Sequence, residues 1–514
     1  MHVHHKTDSL MHVHHNAALV RLAWMIVALS ACASAQSLVE SDTLARTARH
    51  WDAFGPTSAD VPDPDPTRDA LVLRPRFGAP AIIAADTAFA VETLVRGRGI
   101  DQPVRAAMVS PTLDDAAAQK CLAAADIAPS GCVLLDVLAV ASDTIVTGGA
   151  QRFVHVHQTA RARSAASPGA WDLMFGSSVD APMRLPRAVF VRAEAPTTPA
   201  TIRVAQLSDL HVGKGDAEAI ETHLRQVIAD LNARAVDLVI VTGDVANWGG
   251  QQPLFGRARD ILLAVNAPLL IIVGNHDLGF GSSAILGHDQ FIGWSHFARA
   301  FHPLLFFTTT LGGWDFVGFD SGPSTPSPYV FTRGLAPEAL VRIGRALDDA
   351  RTSGRRGVVL FSHAPSRARL TEGSPEAIGL FGRMRDGHDE FERLILDAAV
   401  RGQRVLHLAG HTHWSDTFEA MTASTGEGLA FRRWPSPGGS CATPIPGNAA
   451  LITTQSATHP SPLKESGAGW GYALVTLGEG APTLERIRFG LRPEDATCSP
   501  ASSPPGDARK EGPP

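Results

Sequence analysis

The sequence predicts a mixed α/β protein in which a smaller all-β region precedes a larger α/β region. Three observations lead to this prediction. Short strand-like runs dominate residues 70–195 of an N-terminal region 36–195, and apolar strands alternate with amphipathic helical patterns over residues 200–492. The segment "APTTPAT" between the two regions has the composition of a linker. With 44% hydrophobic residues, the chain has enough material for a core in each region.

The first 35 residues have the pattern of a signal peptide. Arg21 is followed by "LAWMIVALSACASAQ", whose apolar stretch is too short to span a bilayer but suits an h-region. Two processing sites are compatible with it. "ASA" before Gln36 fits an A-x-A cleavage site, whereas "LSAC" resembles a bacterial lipobox that would leave Cys32 as a lipid-modified N-terminus. We therefore predict export to the periplasm or outer surface, with membrane attachment through Cys32 in the second case.

Cysteine usage agrees with export. The chain has five cysteines: Cys32, Cys121, Cys132, Cys441 and Cys498. If Cys32 carries a lipid, an even number remains, which is typical of disulfides in an oxidising compartment. The pairs that are near in sequence are Cys121–Cys132 and Cys441–Cys498, but three connectivities and a set of free buried thiols all stay open.

The all-β region is read from a series of short apolar runs. They are "LVLRP", "AIIAA", "FAVETLVRG", "CVLLDVLAVAS", "RFVHVHQ" and "RAVFVRAEAP", separated by turn residues, with "LDDAAAQKCLAAADI" as the main helical exception. Such spacing favours a β-sandwich. His155 and His157 alternate on one strand face. Because the sequence offers no third ligand beside them, we interpret the pair as part of a solvated strand face.

The α/β region alternates strands with helices. The run "RVAQLSD" is followed by a helical pattern whose apolar face comprises Ile220, Leu224, Val227, Ile228 and Leu231. Further apolar strands are "VDLVIVTGD", "PLLIIVGNHD", "GVVLFSH" and "VLHLAGHTH", and Pro337 lies in the first turn of another helix. This alternation predicts a largely parallel sheet covered on both faces. The late strands "GYALVTLG" and "TLERIRFGL" are predicted to close a second sheet, and residues 493–514 to form a disordered tail.

Five of these apolar strands are followed by Asp, Asn or His. The residues, in chain order, are Asp209, His211, Asp244, Asn247, Asn275, His276, Asp277, His363, His411 and His413. In an open α/β sheet, sites form at the carboxyl ends of the strands, so these side chains should converge. His411 and His413 should point the same way, as residues i and i+2 of an extended segment do. Oxygen and nitrogen donors without a thiolate favour Mn, Fe, Zn, Co or Ni, and seven ligands suit two ions that share one of them.

The order D-x-H, G-D-x-x-N, G-N-H-D, a lone H and G-H-x-H resembles the calcineurin-like metallophosphoesterase superfamily over about residues 201–490. The resemblance implies a β-sandwich flanked by helices and a binuclear centre of two divalent or trivalent ions. It assigns one metal to Asp209, His211, Asp244 and His413. It assigns the second to Asp244, Asn275, His363 and His411, with Asp244 as the bridge. It also implies that His276 faces the substrate as general acid or transition-state stabiliser, oriented by Asn247.

The activity implied by the resemblance is hydrolysis of a small phosphodiester or phosphomonoester by a hydroxide that bridges the two metals. The short "GNHD" and "GHTH" forms are similar to the branch with small phosphodiesterases. Asn247 stands where purple acid phosphatases carry a tyrosine ligand, which argues against an iron–tyrosinate centre. Two alternatives stay open. A metal-dependent nuclease would need a basic groove, which a net charge of −6 does not suggest, so no nucleic-acid partner is expected. The second alternative is a non-catalytic binding module with the same fold.

Other residues near the motifs admit two interpretations each. Asp320 could support a ligand or cap a loop. Arg367 and Arg369 could bind phosphate, although a solvated face is the simpler account. Trp248 and Trp414 flank metal ligands and could form pocket walls or pack into the core. The sequence leaves the oligomeric state open.

Overall fold

The structure is a computed structural model, and it describes residues 70–96, 105–124, 128–148, 151–176, 182–278, 288–322, 334–367, 383–384, 386–413, 415–422, 429–434, 442–459 and 469–490. The predicted signal peptide, Cys32, Cys441, Cys498 and the C-terminal tail lie outside these residues and stay predictions. Arg369 and Trp414 lie outside them as well. Within the described part of the chain, no helix combines the length and apolar character needed to cross a membrane.

The N-terminal region is one eight-stranded sheet. Its elements are β1 (Ala70–Arg74), β2 (Ala81–Ala84), β3 (Phe89–Arg96), β4 (Arg105–Val109), helix α1 (Asp115–Ala123), β5 (Cys132–Gly148), β6 (Gln151–Ala162), β7 (Gly169–Gly176) and β8 (Met183–Arg192). The strand order is β1-β3-β6-β5-β4-β7-β8-β2, antiparallel except for the β2–β8 pair. Within its described residues this region is β-rich, as predicted, and α1 lies in the run that the sequence gives as the main helical exception.

A disulfide joins Cys121 of α1 to Cys132 at the start of β5, with their Cα atoms 5.8 Å apart. It corresponds to one of the two near pairs in the sequence. The helix starts at Asp114, whose side chain accepts a hydrogen bond from the amide of Ala117 and so caps the first turn.

Two further sheets make up the α/β region. In chain order the elements are β9 (Ile202–Leu207), α2 (Ala217–Ala233), β10 (Leu238–Val241), α3 (Gln252–Leu262), β11 (Leu269–Ile271), α4 (His288–Ala300), β12 (Phe306–Leu311), β13 (Trp314–Phe319), α5 (Pro337–Thr352), β14 (Gly357–Phe361), α6 (His388–Val400), β15 (Arg404–Ala409), β16 (Thr417–Thr422), β17 (Leu429–Arg433), β18 (Thr443–Pro444), β19 (Ala449–Thr453), β20 (Trp470–Leu477) and β21 (Thr483–Phe489). One sheet has the order β11-β10-β9-β20-β21-β18, and the other β12-β13-β14-β15-β19-β16-β17.

The two sheets face each other, so the predicted β-sandwich flanked by helices is confirmed. Side chains from β9 and β10 meet side chains from β13, β14 and β15 in one buried cluster between the sheets. Helices α2, α3 and α4 cover the outer face of the first sheet, and α5 and α6 cover the second. In the first sheet β11, β10 and β9 are parallel and β20, β21 and β18 continue it antiparallel. In the second sheet the central strands β13, β14, β15 and β19 are parallel and the outer pairs are antiparallel. The prediction for the late strands was wrong, because β20 and β21 extend the first sheet beside β9.

Two helices begin where the sequence predicts. In α2 the buried residues are the five predicted from the helical pattern, Ile220, Leu224, Val227, Ile228 and Leu231. Asp216 caps this helix by accepting a hydrogen bond from the amide of Ala219. Pro337 is the first residue of α5, where its missing N–H costs no helical hydrogen bond.

The N-terminal region packs directly on the sandwich. The amide of Ile271 donates to the carbonyl of Gly78, which lengthens the first sheet beyond β11. Arg76 donates to the carbonyl of Arg299. His302 is buried at this contact, where its Nε2–H donates to Ile271 O at 2.8 Å and its Nδ1 accepts from the amide of Leu304. Both ring nitrogens are therefore satisfied in the neutral form of the imidazole.

This neutral histidine predicts a loss of stability in acid. Burial, aided by the charge of Arg76, lowers the pKa of His302 to about 4 from a usual value of 6.5. As the pH decreases, His302 is protonated near pH 6.5 in the unfolded chain but only near pH 4 in the folded chain. The unfolding free energy therefore falls as the pH decreases from 6.5 to 4. Between pH 7 and pH 5 the unfolding free energy of wild type should fall by about 2 kcal/mol more than that of His302→Asn, which lacks the titrating group.

Urea unfolding at both pH values measures this difference. Equal pH dependence of wild type and His302→Asn would contradict the assignment.

Candidate metal centre

The predicted site residues converge at one edge of the sandwich. They follow β9, β10 and β11 of the first sheet and β14 and β15 of the second, so both sheets contribute. Ring nitrogens and carboxylate oxygens lie within 4.8 Å of one another in three groups: His211, Asp244 and His276; Asp244, His363 and His411; and His211, His413 and His459. Asp244 belongs to two of the groups. The convergence that the strand ends predict is therefore present, while the ligand roles remain predictions.

The backbone at this edge has left-handed conformations. Asp209, His211, Asp244, His411 and His413 have φ between 45° and 68°. Among the described residues, only two other non-glycine residues, Arg187 and Ala235, have positive φ. Such conformations cost about 1–3 kcal/mol each and cluster at functional sites.

The left-handed backbone corrects one expectation from the sequence. His411 and His413 do not lie on an extended strand, because β15 ends at Ala409. Their rings belong to different groups: His411 lies 5.1 Å from His363 and His413 lies 5.1 Å from His211, between ring centroids. The pattern G-H-x-H thus distributes its two imidazoles over two neighbouring sites.

Each buried carboxylate uses one oxygen to hold a loop and turns the other toward the imidazoles. Asp209 Oδ2 accepts from the hydroxyl of Ser208 and from the amide of His411 at 2.9 Å. Its Oδ1 lies 3.1 Å from His413 Nε2. Asp244 Oδ1 accepts from the amide of His276 at 2.8 Å. Asp244 Oδ2 lies 3.2 Å from His363 Nε2 and 3.7 Å from His211 Nε2, so it stands between the two groups.

The charges favour ionised carboxylates. Burial raises the pKa of Asp209, but the neighbouring His413 and His363 outweigh it and bring the pKa far below its usual range. Burial likewise opposes ionisation of Asp244, and His363 and His276 overcome it. For His211, by contrast, burial lowers the pKa and so favours the neutral imidazole. Ionised carboxylates and neutral imidazoles are the protonation states in which these side chains bind metal ions.

The donor atoms fit a pair of cations. His363 Nδ1–H donates to the carbonyl of Thr242 at 2.7 Å, so in the neutral ring Nε2 carries the lone pair. That lone pair faces Asn275 Oδ1 at 2.9 Å and Asp244 Oδ2 at 3.2 Å. Three such atoms lie this close only around a shared positive charge, which either a proton on His363 Nε2 or a bound metal ion would supply. The carbonyl fixes the ring in the way that outer partners orient metal-binding histidines.

The second group gives the same indication. The Nε2 atoms of His211 and His413 lie 3.2 Å apart. Asp209 Oδ1 is buried beside them and makes no hydrogen bond within the described part of the chain. A buried carboxylate oxygen without a donor is costly, and a metal ion would satisfy it.

His276 is held by a backbone atom. Its Nδ1–H donates to the carbonyl oxygen of Asn247 at 2.8 Å, and its ring stands edge-on to His211 with centroids 4.4 Å apart. The sequence predicts that Asn247 orients His276. In the structure this contact comes from the carbonyl of Asn247, which a residue of any type at this position would provide.

Sequence reasoning gave no role to three residues at this edge. Asp277 follows the "GNH" motif directly, and its carboxylate accepts from the amides of Ala246 and Gly274, which ties two site loops together. Burial and the charge of Asp244 raise the pKa of Asp277 to about 7. The other two are Lys214 and His459. The sequence places Asp277 among the residues at the strand ends but does not indicate its role, whereas His459 follows no motif.

Lys214 and His459 form a pair at the rim. The hydroxyl of Ser456 donates to Asp209 O, so its oxygen must accept from His459 Nδ1 at 2.7 Å. His459 Nε2 then carries the lone pair and accepts from Lys214 Nζ at 3.0 Å. The ring of His459 lies 4.8 Å from that of His413, which brings the ammonium close to the centre.

The structure places Asp320, Arg367 and Trp248, for each of which the sequence admits two interpretations. Asp320 accepts from the amide of Gly322 and caps a loop. Arg367 pairs with both carboxylate oxygens of the buried Glu392, so it forms an ion pair and does not lie on a purely solvated face. Trp248 is 40% exposed, so it is not a core residue.

Glycines precede three of the motif residues because the loops are crowded. A Cβ on Gly274 would lie 2.2 Å from the backbone nitrogen and from Oδ1 of Asp244. A Cβ on Gly410 would lie 1.6 Å from Ser208 Oγ. The glycines of "GNHD" and "GHTH" therefore permit the approach of neighbouring loops at the centre.

Comparison with known families supports the resemblance drawn from the motifs. Residues 202–415 match the family model described as calcineurin-like phosphoesterase. A segment of 56 residues is 38% identical to a probable cyclic nucleotide phosphodiesterase of Rhodopseudomonas palustris. This segment covers 10% of the present chain and only 20% of that protein's length. The resemblance to the superfamily is confirmed for the region that contains all the motifs.

Solved structures that align with the chain include purple acid phosphatase PPD1 from seeds of yellow lupin (Lupinus luteus), at 13% identity and a TM-score of 0.46. The alignment covers 80% of this chain and 71% of that one. The protein TT1561 of Thermus thermophilus aligns at 10% identity and a TM-score of 0.30, over 56% of this chain and 99% of that one.

The crowding at Gly274 predicts the effect of a single methyl group. Gly274→Ala should push the two loops apart, lower the unfolding free energy by about 1–3 kcal/mol and reduce metal content. Gly256→Ala is the matched control, because no described atom lies within 4 Å of its added Cβ on α3. Chemical unfolding and elemental analysis of both variants measure the difference. Wild-type stability and metal content in Gly274→Ala would contradict the packing account.

Proposed function

We propose that this chain, whose residues 202–415 match the family model described as calcineurin-like phosphoesterase, hydrolyses a small phosphodiester or phosphomonoester at a centre of two metal ions. The observation that carries the proposal is the position of Asp244 Oδ2. This oxygen lies between His363 Nε2 and His211 Nε2, at 3.2 Å and 3.7 Å, and so faces both groups of donors. Asp244 is therefore the candidate bridging ligand.

The proposed ligands divide as the motifs imply. One set is Asp209, His211, Asp244 and His413, and the other is Asp244, Asn275, His363 and His411. When bound, two such ions would act as Lewis acids on the phosphoester and lower the pKa of a coordinated water. The nitrogen and oxygen donors are compatible with Mn, Fe, Zn, Co or Ni.

Side chains of the protein would then position the phosphoester and protonate its leaving group. His276 is held through Nδ1 by the carbonyl of Asn247, so Nε2 is the ring atom that can meet a leaving-group oxygen. A positioned imidazole in this role is typically worth about 10²–10⁴ in rate. The ammonium of Lys214, held by His459 at the rim, adds positive charge where an anionic phosphoryl group would approach.

Activity should depend on metal and on Asp244. The metal-stripped chain, reloaded with Mn, Zn or Fe, should hydrolyse bis-p-nitrophenyl phosphate, p-nitrophenyl phosphate or both. Asp244→Ala should lose both ions and all turnover, because it removes the oxygen shared by both sets. Elemental analysis accompanies each assay.

The outcomes separate the alternatives. Turnover of the diester favours a phosphodiesterase, and turnover of the monoester alone favours a phosphatase. A chain that holds two ions but hydrolyses neither compound would favour a non-catalytic binding module, and cleavage of DNA or RNA alone would favour a nuclease. An active Asp244→Ala variant with two ions would refute the bridge.

His276→Ala should keep both ions and lower kcat by about 10²–10⁴-fold, because it removes the acid and leaves the ligands in place. His296→Ala is the matched control. His296 Nδ1–H donates to the carbonyl of Gly249 at 2.8 Å, so it supports the same loop, yet it belongs to none of the three donor groups. Its kcat should stay near wild type. If both variants lose activity equally, His276 acts by supporting the loop.

A further inference from the structure

The N-terminal sheet carries a second group of metal-binding side chains. His155 and His157 lie on β6, two residues apart, and β6 pairs with β3 in a register that places Glu92 opposite His157. Side chains at i and i+2 of a strand share a face, and directly paired residues share it as well. Glu92 is the third donor that the sequence did not reveal.

The distances suit one ion. Glu92 Oε2 lies 3.1 Å from His155 Nε2 and 3.9 Å from His157 Nδ1, and the three atoms lie within 4.8 Å of one another. Around a zinc ion with bonds of about 2.0–2.2 Å, neighbouring ligand atoms in a tetrahedron are about 3.3–3.6 Å apart. The observed separations lie on either side of this range, so small rotations of the side chains would complete the site.

Arg74 prepares the carboxylate for this role. Register pairs Arg74 of β1 with Glu92, and the guanidinium forms an ion pair with Glu92 Oε1, the oxygen that does not face the histidines. An outer partner of this kind orients metal-binding carboxylates. Burial raises the pKa of Glu92, but the hydrogen bond with His155 and the charge of Arg74 bring it down to about 2, so the group is anionic at neutral pH.

The surroundings leave one side of the group accessible. The side chain of His155 is 7% exposed and that of Glu92 is 14% exposed, whereas that of His157 is 37% exposed. An ion could enter beside His157 while the other two donors stay fixed by packing. The two rings already stand with centroids 4.1 Å apart.

We propose that Glu92, His155 and His157 bind one divalent transition-metal ion of the zinc class, separate from the centre at the strand ends. Two imidazoles and a carboxylate are a ligand set that zinc accepts, with a fourth position open to solvent. The ion would join β3 to β6 and stabilise the N-terminal sheet. This proposal does not depend on the proposed phosphoesterase function.

Zinc binding to the full chain tests the site. Equilibrium dialysis against Zn²⁺ uses metal-stripped Asp244→Ala, in which the other centre is disabled, alone and combined with His157→Ala or His388→Ala. The N-terminal "MHVHH" histidines are common to all variants, so only differences count. Asp244→Ala and the His388 control should each bind one equivalent more than the His157 variant. Zinc should also raise the thermal midpoint of the first two more than that of the third.

Glu92→Gln guards against a folding defect, because it keeps the shape of the side chain and should lose the same equivalent. Equal zinc binding by the three proteins would overturn the proposal and leave the group as a structural ion pair. If the proposed phosphoesterase centre fails instead, the Asp244→Ala background retains more zinc, but the difference caused by His157→Ala stays one equivalent. Failure of one site is therefore distinguishable from failure of the other.

Discussion

The candidate centre depends on two buried carboxylates, each of which accepts a backbone hydrogen bond with one oxygen and faces the imidazoles with the other. One oxygen of Asp209 fixes the amide of His411, and one oxygen of Asp244 fixes the amide of His276. The remaining oxygens face imidazole nitrogens. A buried charge is stable only when it is paired, so the loops and the rings must stay in register around these two side chains. The geometry of the whole edge follows from that requirement.

The same constraint explains the strained backbone. Two sheets end at this edge, and the chain must turn at once after each strand to bring a donor into a volume only a few ångströms wide. Left-handed conformations at Asp209, Asp244 and His413 provide these turns, and glycines such as Gly274 permit the loops to touch. The buried strands behind them supply the packing energy against which local strain of about 1–3 kcal/mol per residue can persist.

Much of this could be predicted from the sequence, because the information was local. Apolar runs ending in Asp, Asn or His gave the strand ends, and the face of α2 followed from its period. What could not be predicted depends on contacts between distant segments. Neither the division of the strands between two sheets nor the place of β20 and β21 has a local signal. His459 comes from a loop without a motif, and Glu92 meets His157 only through the register of β3 on β6.

Two H-x-H patterns in the described part of the chain show why such a motif has no fixed meaning. His155 and His157 lie within β6, where alternation puts both rings on one face at 4.1 Å, so they can serve the same ion. His411 and His413 lie beyond β15 with left-handed φ, and their rings join different groups. The sequence showed no third ligand beside the first pair, and the register of β3 on β6 brings Glu92 there. It predicted a shared direction for the second pair, which the left-handed backbone contradicts. Whether the pattern falls inside a strand or just past its end therefore decides whether two histidines share one metal or help to hold two.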